Sequence, residues 1–128
     1  MRKLSTIQKR EKLNVVYAVD ERGNGNANHL YQINALTKVD GLSGECEAIT
    51  DWSIQFQNGA RKDENAIQGV LDGDLLEIVR DRLIGFQSGK FASEYNQKAL
   101  EHIELALMYM NRRVEDRIER NVLGTYNK

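Results

Sequence analysis

Proline is absent from this sequence, and cysteine occurs only once, at Cys46. Without proline, the chain must turn on glycine, asparagine and aspartate, and its helices can run long without interruption. A single cysteine excludes an intramolecular disulfide and fits a reducing compartment. Neither His29 nor His102 lies near Cys46 in the sequence, so a structural thiol is the favoured interpretation over a nucleophilic one.

The sequence also lacks an excess of either charge, since it has 18 basic and 19 acidic residues and a net charge of −1. This balance gives no global attraction to a nucleic acid polymer or to an anionic membrane, so a bound anion must be held by locally placed charge. No apolar run approaches the ~18 residues of a membrane span, and Met1–Ser5 lacks the apolar stretch of a secretory signal. We expect an intracellular protein with one core, since 128 residues with 41% hydrophobic content suffice for one domain.

The upstream part of the chain, residues 1–70, has the pattern of strands and turns. In the clearest strand, Trp52, Ile54 and Phe56 alternate with polar residues and share one face. The polar loop after this strand, residues 57–65, is interpreted as a solvated connection or as a functional loop. Predicted strands cover residues 13–19, 29–34 and 49–57, with turns at 21–26 and 40–44.

The downstream part, residues 71–128, changes to helical periodicity. Asp72 to Asp74 offers an N-cap and negative charge for a first helix, and Ser88-Gly89 ends it. A second helix is predicted from about Phe91 to Asn121, roughly 45 Å long. Its apolar stripe is Leu100, Ile103, Leu107, Met110 and Val114. The fold class is therefore α+β, an N-terminal antiparallel sheet followed by an antiparallel helical hairpin, within a single domain spanning 1–128.

The unequal lengths of the two helices predict an oligomer, because the short helix cannot cover the whole apolar stripe of the long one. Alanines at positions 92, 99 and 106 recur every seven residues and would let another backbone approach closely. Two partners fit this column equally well: a second subunit, or the sheet of the same chain.

Two clusters on the hairpin could receive a ligand. Arg113 and Arg117 lie one turn apart and could bind a phosphate or pyrophosphate; the alternative is a solvated helix end of mixed charge, since acidic residues are interspersed. Phe86 and Phe91 flank the turn between the helices, where a ring could stack on a nucleobase. The alternative for these rings is that they close the tip of the hairpin.

Catalytic groups are poorly represented. His102 has acidic neighbours at 101 and 104, but a metal site on a helix favours partners three or four residues away on one side. Gly23-Asn24-Gly25 lacks the lysine and the following helix of a phosphate-binding loop. We therefore expect no enzyme, no metal and no cofactor.

The stretch from Trp52 to Thr125 resembles the Thoeris anti-defence protein 1 family, which phages encode as sponges for immune signals. Its hairpin is also similar to that of phage proteins that sequester the cyclic oligonucleotides of CBASS defence. The resemblance is carried by three segments, with Asn96, Ala99-Leu100, Ala106-Leu107, Arg112-Arg113, Arg117 and Gly124-Thr125 as further matching positions. The segments are residues 54–59 (IQFQNG), 74–83 (DLLEIVRDRL) and 86–92 (FQSGKFA).

The resemblance implies a protein that binds cyclic ADP-ribose isomers such as glycocyclic ADP-ribose in the cytoplasm of the infected bacterial host and does not cleave them. Phe86 would stack on the adenine, and Asn96 would form hydrogen bonds with polar edges of the ligand. Arg113 and Arg117 would bind the pyrophosphate. Some members form hexamers, as trimers of dimers, that hold cyclic trinucleotides at separate sites. Arg61 corresponds to that site, and Arg113 is a candidate for both sites, although Ala60 stands where the family pattern leads us to expect proline.

Helix geometry constrains this implied site. Arg113 lies 17 positions beyond Asn96, or roughly 25 Å along one helix, so one small ligand cannot touch both within one subunit. A single pocket therefore requires two subunits in twofold antiparallel packing. Three other functions remain open: a protein-interaction hairpin without a nucleotide ligand, an enzyme that degrades a cyclic nucleotide, and nonspecific nucleic acid binding.

Overall fold

The computed structural model describes residues 1–36 and 48–128. Cys46 and the turn predicted at 40–44 lie outside the described residues. The chain separates into two compact units, of which the sheet unit comprises residues 1–59 with 67–69 and the hairpin unit comprises residues 60–66 with 70–128. The predicted α+β class is confirmed, with an antiparallel sheet followed by a pair of helices.

The sheet unit is built from four antiparallel strands in the order β1-β2-β3-β4. Each of the three predicted strands exists, because alternating β-branched and aromatic residues suit a half-buried sheet. The pattern did not reveal β1, since two residues are too few to show alternation. The strands are β1 (Arg2–Lys3), β2 (Asn14–Ala18), β3 (Leu30–Leu36) and β4 (Ala48–Gln55).

Burial in this sheet is concentrated on β2, where Val15 and Ala18 are the buried apolar residues. Beyond the end of β4, Phe56 packs edge-on against Tyr31, with ring centroids 5.6 Å apart. Trp52, which the alternation predicts to share a face with Phe56, is 52% exposed. The sheet unit therefore leaves its largest side chain in contact with solvent.

A carboxylate organises the connection between β2 and β3. Asp20 accepts hydrogen bonds from the backbone of His29 at 3.0 Å and from the side chain of Asn28 at 3.2 Å. Partial burial acts to raise the pKa of Asp20, but bonds from His29, Leu30 and Asn28 outweigh it, so its pKa lies below the ordinary value. Asn28 in turn accepts from Arg2, which ties the short strand β1 to this connection.

After β4 the chain folds back on itself across a tight bridge. Asn58 and Ile67 pair through two backbone hydrogen bonds of 2.9 Å. The side chain of Gln57 supports the bridge by accepting from the Gly69 backbone at 3.0 Å. Gly69 passes so close to β4 that a Cβ there would lie 2.4 Å from the carbonyl oxygen of Gln55. Only glycine fits this crossing.

The hairpin unit contains α1 (Asp72–Gln87) and α2 (Glu94–Glu119). The N-cap expected within residues 72–74 is wrong, because Leu71 occupies that position and Asp72 is already helical, while the predicted negative charge of the first turn is present. Asp74 closes the first turn by accepting a hydrogen bond of 2.8 Å from the backbone of Leu71. The carboxylates of the first turn favour this helix end through its positive dipole.

The long helix is shorter at both ends than predicted. Ser93 caps its start, accepting from the Asn96 backbone at 3.0 Å, so Phe91 precedes the helix. At the other end Asn121 adopts a left-handed conformation with φ 57°. Val122 then donates to the carbonyl of Arg117 at 2.9 Å, a Schellman arrangement that ends the helix. The helix still spans 26 residues, about 39 Å.

Packing between the helices is incomplete. Leu100 is the buried apolar residue of α2 among the described residues, and Ile103, Leu107 and Val114 are only half-buried. Arg80 on α1 bridges to Glu104 on α2 at 2.9 Å, and this bond raises the pKa of the Arg80 guanidinium. Neither helix in the described part of the chain is long and apolar enough to cross a membrane.

Candidate functional site

The tip of the hairpin is an aromatic corner. Phe86 and Phe91 meet edge to face, with ring centroids 6.4 Å apart and planes at 87°. The guanidinium of Arg82 lies 5.3 Å from the Phe86 centroid. Phe86 is 38% exposed and Phe91 is 66% exposed. The two rings thus pack on each other and still present surface on which a planar ligand group could stack.

Amide groups hold the backbone of this tip. Gln87 bonds both backbone groups of Ser93, donating to its carbonyl at 3.1 Å and accepting from its N–H at 2.9 Å. The Nδ2 of Asn96 donates to the Phe91 carbonyl at 3.1 Å. These bonds leave the side-chain oxygen of Asn96 as an acceptor they do not use. Phe86 and Asn96, both predicted ligand contacts, therefore lie at one corner through their shared contact with Phe91.

Arg113 lies near the opposite end of α2 and is exposed. It borders a groove of about 750 Å³ between the start of α1 and the second half of α2. Acidic residues of α1 share this groove, so the cation faces a surface of mixed charge. The lining residues are Leu71, Asp72, Gly73, Asp74, Glu77, Leu107, Met110, Asn111, Arg113 and Val114.

Arg117 was predicted to face a ligand pyrophosphate beside Arg113, but its side chain is engaged elsewhere. The residue is 7% exposed. Its guanidinium donates to three backbone carbonyls, those of Asn127 at 2.7 Å and of Val122 and Thr125 at 3.0 Å. In this structure Arg117 is a buried cation satisfied by the C-terminal segment, and its predicted contact with a ligand stays a prediction.

Arg61 lies in the loop of residues 60–66 and borders a second groove, of about 460 Å³. We call this cavity the Arg61 groove; it is lined by Arg61, Lys62, Ile118, Asn121, Leu123 and Gly124. Two cationic side chains thus face the segment that follows α2. Gly59, just before Ala60, has φ 99°, so the turn is made by the glycine without the proline that the family pattern predicts.

The structure divides the five predicted residues between two places. Phe86 and Asn96 lie at the tip, and Arg113 and Arg117 lie toward the other end of α2. Arg61 borders a groove formed partly by residues directly after that helix. As the spacing predicted, one small molecule cannot reach both places within one chain, because about 25 Å of helix separates Asn96 from Arg113.

A second face of α2 is exposed and carries aromatic and small residues at alternating spacings of four and three. Tyr95 is 89% exposed and Tyr109 is 61% exposed. The face consists of Tyr95, Ala99, His102, Ala106, Tyr109 and Arg113. The alanine repeat was visible in the sequence, but the tyrosines on either side of Ala99 and Ala106 were missed, although their heptad spacing on the same face was the available signal.

A buried histidine in the sheet unit has a ring nitrogen without a partner among the described residues. His29 is 8% exposed, and its Nδ1 has no hydrogen-bond partner within the described ranges. The same ranges contain no group of three or more histidine, cysteine, aspartate or glutamate residues arranged to hold a metal. Sequence reasoning did not identify the burial of His29, because it depends on the fold of the turn around Asp20.

The hairpin unit has an aromatic corner at one end and arginines toward the other. It belongs to the class of helical hairpin domains. Residues 53–115 match the family model of the Acb2/Tad1 hairpin domain. The family resemblance predicted from the sequence is therefore confirmed, because the match covers most of the hairpin.

A relative agrees with this assignment. The chain is 37% identical over 76 residues to Thoeris anti-defense 1 of Bacillus phage SBSphiJ7, a match that covers 59% of this chain. It covers 53% of the relative, so the chain spans about half the length of that protein. Arg61, Phe86, Asn96 and Arg113 lie inside the segment matched by the family model, and Arg117 lies just beyond it.

Proposed function

We propose that this protein is a phage anti-defence sponge that captures a cyclic ADP-ribose isomer signal of the Thoeris system and holds it without cleavage. The observation that carries the proposal is the Acb2/Tad1 hairpin with its aromatic corner, found in a chain similar to Thoeris anti-defense 1. A sponge needs affinity above all, and a corner already fixed by side-chain bonds reduces the entropy lost on binding.

The chemistry of the ligand matches the groups on the hairpin. The partly exposed ring of Phe86 offers a stacking surface for adenine, and the unused oxygen of Asn96 can accept from an amino or hydroxyl group. Arg113 is exposed and can give two parallel hydrogen bonds to a pyrophosphate. Glycocyclic ADP-ribose carries all three complements: a base, hydroxyl groups and a pyrophosphate.

We further propose that the pocket is shared by two subunits. Antiparallel packing of the second face of α2 against its copy, about a twofold axis between His102 and Ala106, would pair Tyr95 with Arg113 of the partner subunit. The tip of one hairpin would then lie beside the arginine of the other, which removes the distance that separates them in one chain. The alanines at 99 and 106 would allow the two helices to approach closely.

Cyclic trinucleotides are a second candidate ligand, at the Arg61 groove. The supporting observation is that Arg61 and Lys62 both line a concave surface of about 460 Å³. Two cations can neutralise two phosphates of a ring, and Leu123 and Ile118 supply apolar walls for a base. Assembly of dimers into a hexamer stays a prediction that accompanies this ligand.

The first experiment is calorimetric titration with glycocyclic ADP-ribose of the wild type and of Arg113→Ala. Loss of the charge-assisted bonds should weaken binding about 10- to 100-fold. Arg112→Ala is the matched control, because it removes the same charge one residue away and should bind nearly as tightly as the wild type. Heating the complex and chromatographing the ligand should return it intact, whereas altered ligand would indicate an enzyme.

The competing function is a hairpin that binds another protein and takes no nucleotide. It is motivated by the exposed second face of α2, where Tyr95 and Tyr109 are largely exposed. Under that function the wild type would show no heat with the nucleotide and Arg113 would be dispensable. Ala106→Glu distinguishes the shared nucleotide pocket from the protein-binding hairpin. If the pocket is shared, this variant should be a monomer in light scattering and should not bind the nucleotide.

A further inference from the structure

The C-terminal segment of the hairpin unit, residues 122–128, is gripped by one buried guanidinium. Arg117 donates to the carbonyls of Val122, Thr125 and Asn127 at 2.7–3.0 Å. No carboxylate lies within salt-bridge distance of Arg117 among the residues the structure describes. Carbonyl dipoles therefore balance this charge, and its place in the last turn of α2 is favoured by the helix dipole.

The segment held by Arg117 also forms one wall of the Arg61 groove. Asn121, Leu123 and Gly124 line that groove, and the carbonyls that Arg117 binds belong to Val122 and Thr125 on either side. Gly124 has φ 77°, which gives the segment its turn. The bonds from Arg117 to the Val122 and Thr125 carbonyls therefore hold this wall in place.

The opposite wall is connected to the same segment. The hydroxyl of Tyr126 donates to Asp63 Oδ2 at 3.0 Å. The other oxygen of Asp63 accepts from the Asn65 backbone at 2.9 Å, and the Asp63 carbonyl accepts from Ala66 at 3.0 Å. Asp63 thus fixes the turn of the loop that carries Arg61, and Tyr126 fixes Asp63.

We propose that Arg117 is a positioning residue for the Arg61 groove: it sets the C-terminal segment, and through Tyr126 and Asp63 it sets the loop of Arg61. Its donors are directed at the protein's own carbonyls and not at a ligand phosphate. The structural part of this proposal stands without a ligand; its consequence for binding rests on the proposed cyclic trinucleotide site.

Arginine is required for this role because its planar group reaches three acceptors in fixed directions. A lysine keeps the charge but offers one ammonium at one point, so it cannot serve carbonyls separated by the width of a turn. Arg117→Lys should therefore behave like Arg117→Ala. A residue that contacted a phosphate mainly through charge would give the opposite result, with lysine retaining much of the affinity.

Hydrogen exchange of the full chain tests whether Arg117 acts on the C-terminal segment and, through Tyr126 and Asp63, on the loop of Arg61. Arg117→Lys should speed exchange at Thr125 in the segment and also at Asn65 and Ala66 in the loop. Tyr126→Phe should speed exchange at the loop amides alone, by about fivefold for one lost hydrogen bond. Arg112→Ala, which removes a neighbouring charge, should change neither. Loop amides that stay protected in Arg117→Lys would overturn the proposal.

Binding of cyclic triadenylate supplies the second readout. Tyr126→Phe should weaken binding about fivefold when Arg61 is present, and should have almost no effect in the Arg61→Gln background, because the bond acts through that arginine. Equal losses in both backgrounds would overturn the proposed coupling. If the wild type does not bind cyclic triadenylate, the proposed second ligand fails, and the exchange pattern decides the role of Arg117 by itself.

Discussion

The two ends of the hairpin unit are held together in different ways. At the tip, the bonds join residues close in sequence: Gln87 and Ser93 are 6 residues apart, and Phe91 and Asn96 are 5 apart. At the base, the bond from Tyr126 to Asp63 joins residues 63 positions apart. The bonds from Arg117 to the segment after α2 are also local, spanning 5 to 10 positions. The tip is therefore entirely local, whereas the base also needs a contact with the distant loop of Arg61.

The difference extends to how each end presents its chemistry. The tip leaves its aromatic rings partly exposed and available for stacking. The base buries Arg117 and commits its donors to the chain itself. Side chains at the tip can act directly on a ligand, while the buried arginine at the base acts through the groove wall it supports.

The largest effect is expected at the tip, for Phe86→Ala. Loss of a stacking ring should weaken binding of glycocyclic ADP-ribose by on the order of 10- to 100-fold. The free energy of unfolding should also fall, because the ring packs on Phe91, so binding is compared at a temperature where both proteins are folded. Phe86→Tyr is the control, since it keeps the ring and should keep most of the affinity. Calorimetry gives the affinity, and faster exchange at Thr125 in the alanine variant would contradict the independence of the two ends.

A smaller effect is expected for Ser93→Ala, which removes the N-cap of α2. The free energy of unfolding should fall by about 1 kcal/mol, measured by urea denaturation. Ser88→Ala is the matched control, because Ser88 donates only to the carbonyl of Gly85 at the end of α1, and its loss should cost less. Equal losses would mean that the tip does not depend on the cap.

The smallest effect is expected in the sheet unit at acid pH. Amides at the two ends of the hairpin serve as internal references for hydrogen exchange. The pKa of Asp20 is lowered in the folded state, so its ionised form stabilises the fold above the ordinary pKa of about 4, and that stabilisation is lost as the pH falls through the folded pKa. The protection factor of the His29 amide, which compares its exchange rate with the intrinsic rate at the same pH, should therefore fall in acid, and Asp20→Asn should remove this pH dependence. An unchanged profile in the variant would contradict the role of Asp20.

Local patterns predicted most of the fold. The alternation of Trp52, Ile54 and Phe56 predicted β4, and the three-four spacing around Leu100 predicted α2. The errors were at boundaries, where Leu71 took the N-cap position in place of Asp72 and Ser93 capped α2 after Phe91. Cap geometry depends on individual hydrogen bonds, which periodicity does not specify.

The candidate site was predictable at one end only. Phe86 and Asn96 are separated by a short turn, so their proximity could be inferred from sequence. The burial of Arg117 could not, because its acceptors are backbone carbonyls, which every residue carries and no side-chain pattern reveals. The link from Tyr126 to Asp63 was hidden for a related reason: it joins two residues with no spacing relation.

The crossing at Gly69 has a consequence for how substitution tolerance in such chains should be interpreted. Any side chain there would collide with the backbone of Gln55 and Phe56, so the position is restricted whatever the protein binds. A scan of all substitutions should show an intolerant column at Gly69 and a more permissive one at Glu64, whose side chain is exposed. Such a column would record a steric limit on the path of the chain, and no contact with the ligand would be needed to explain it.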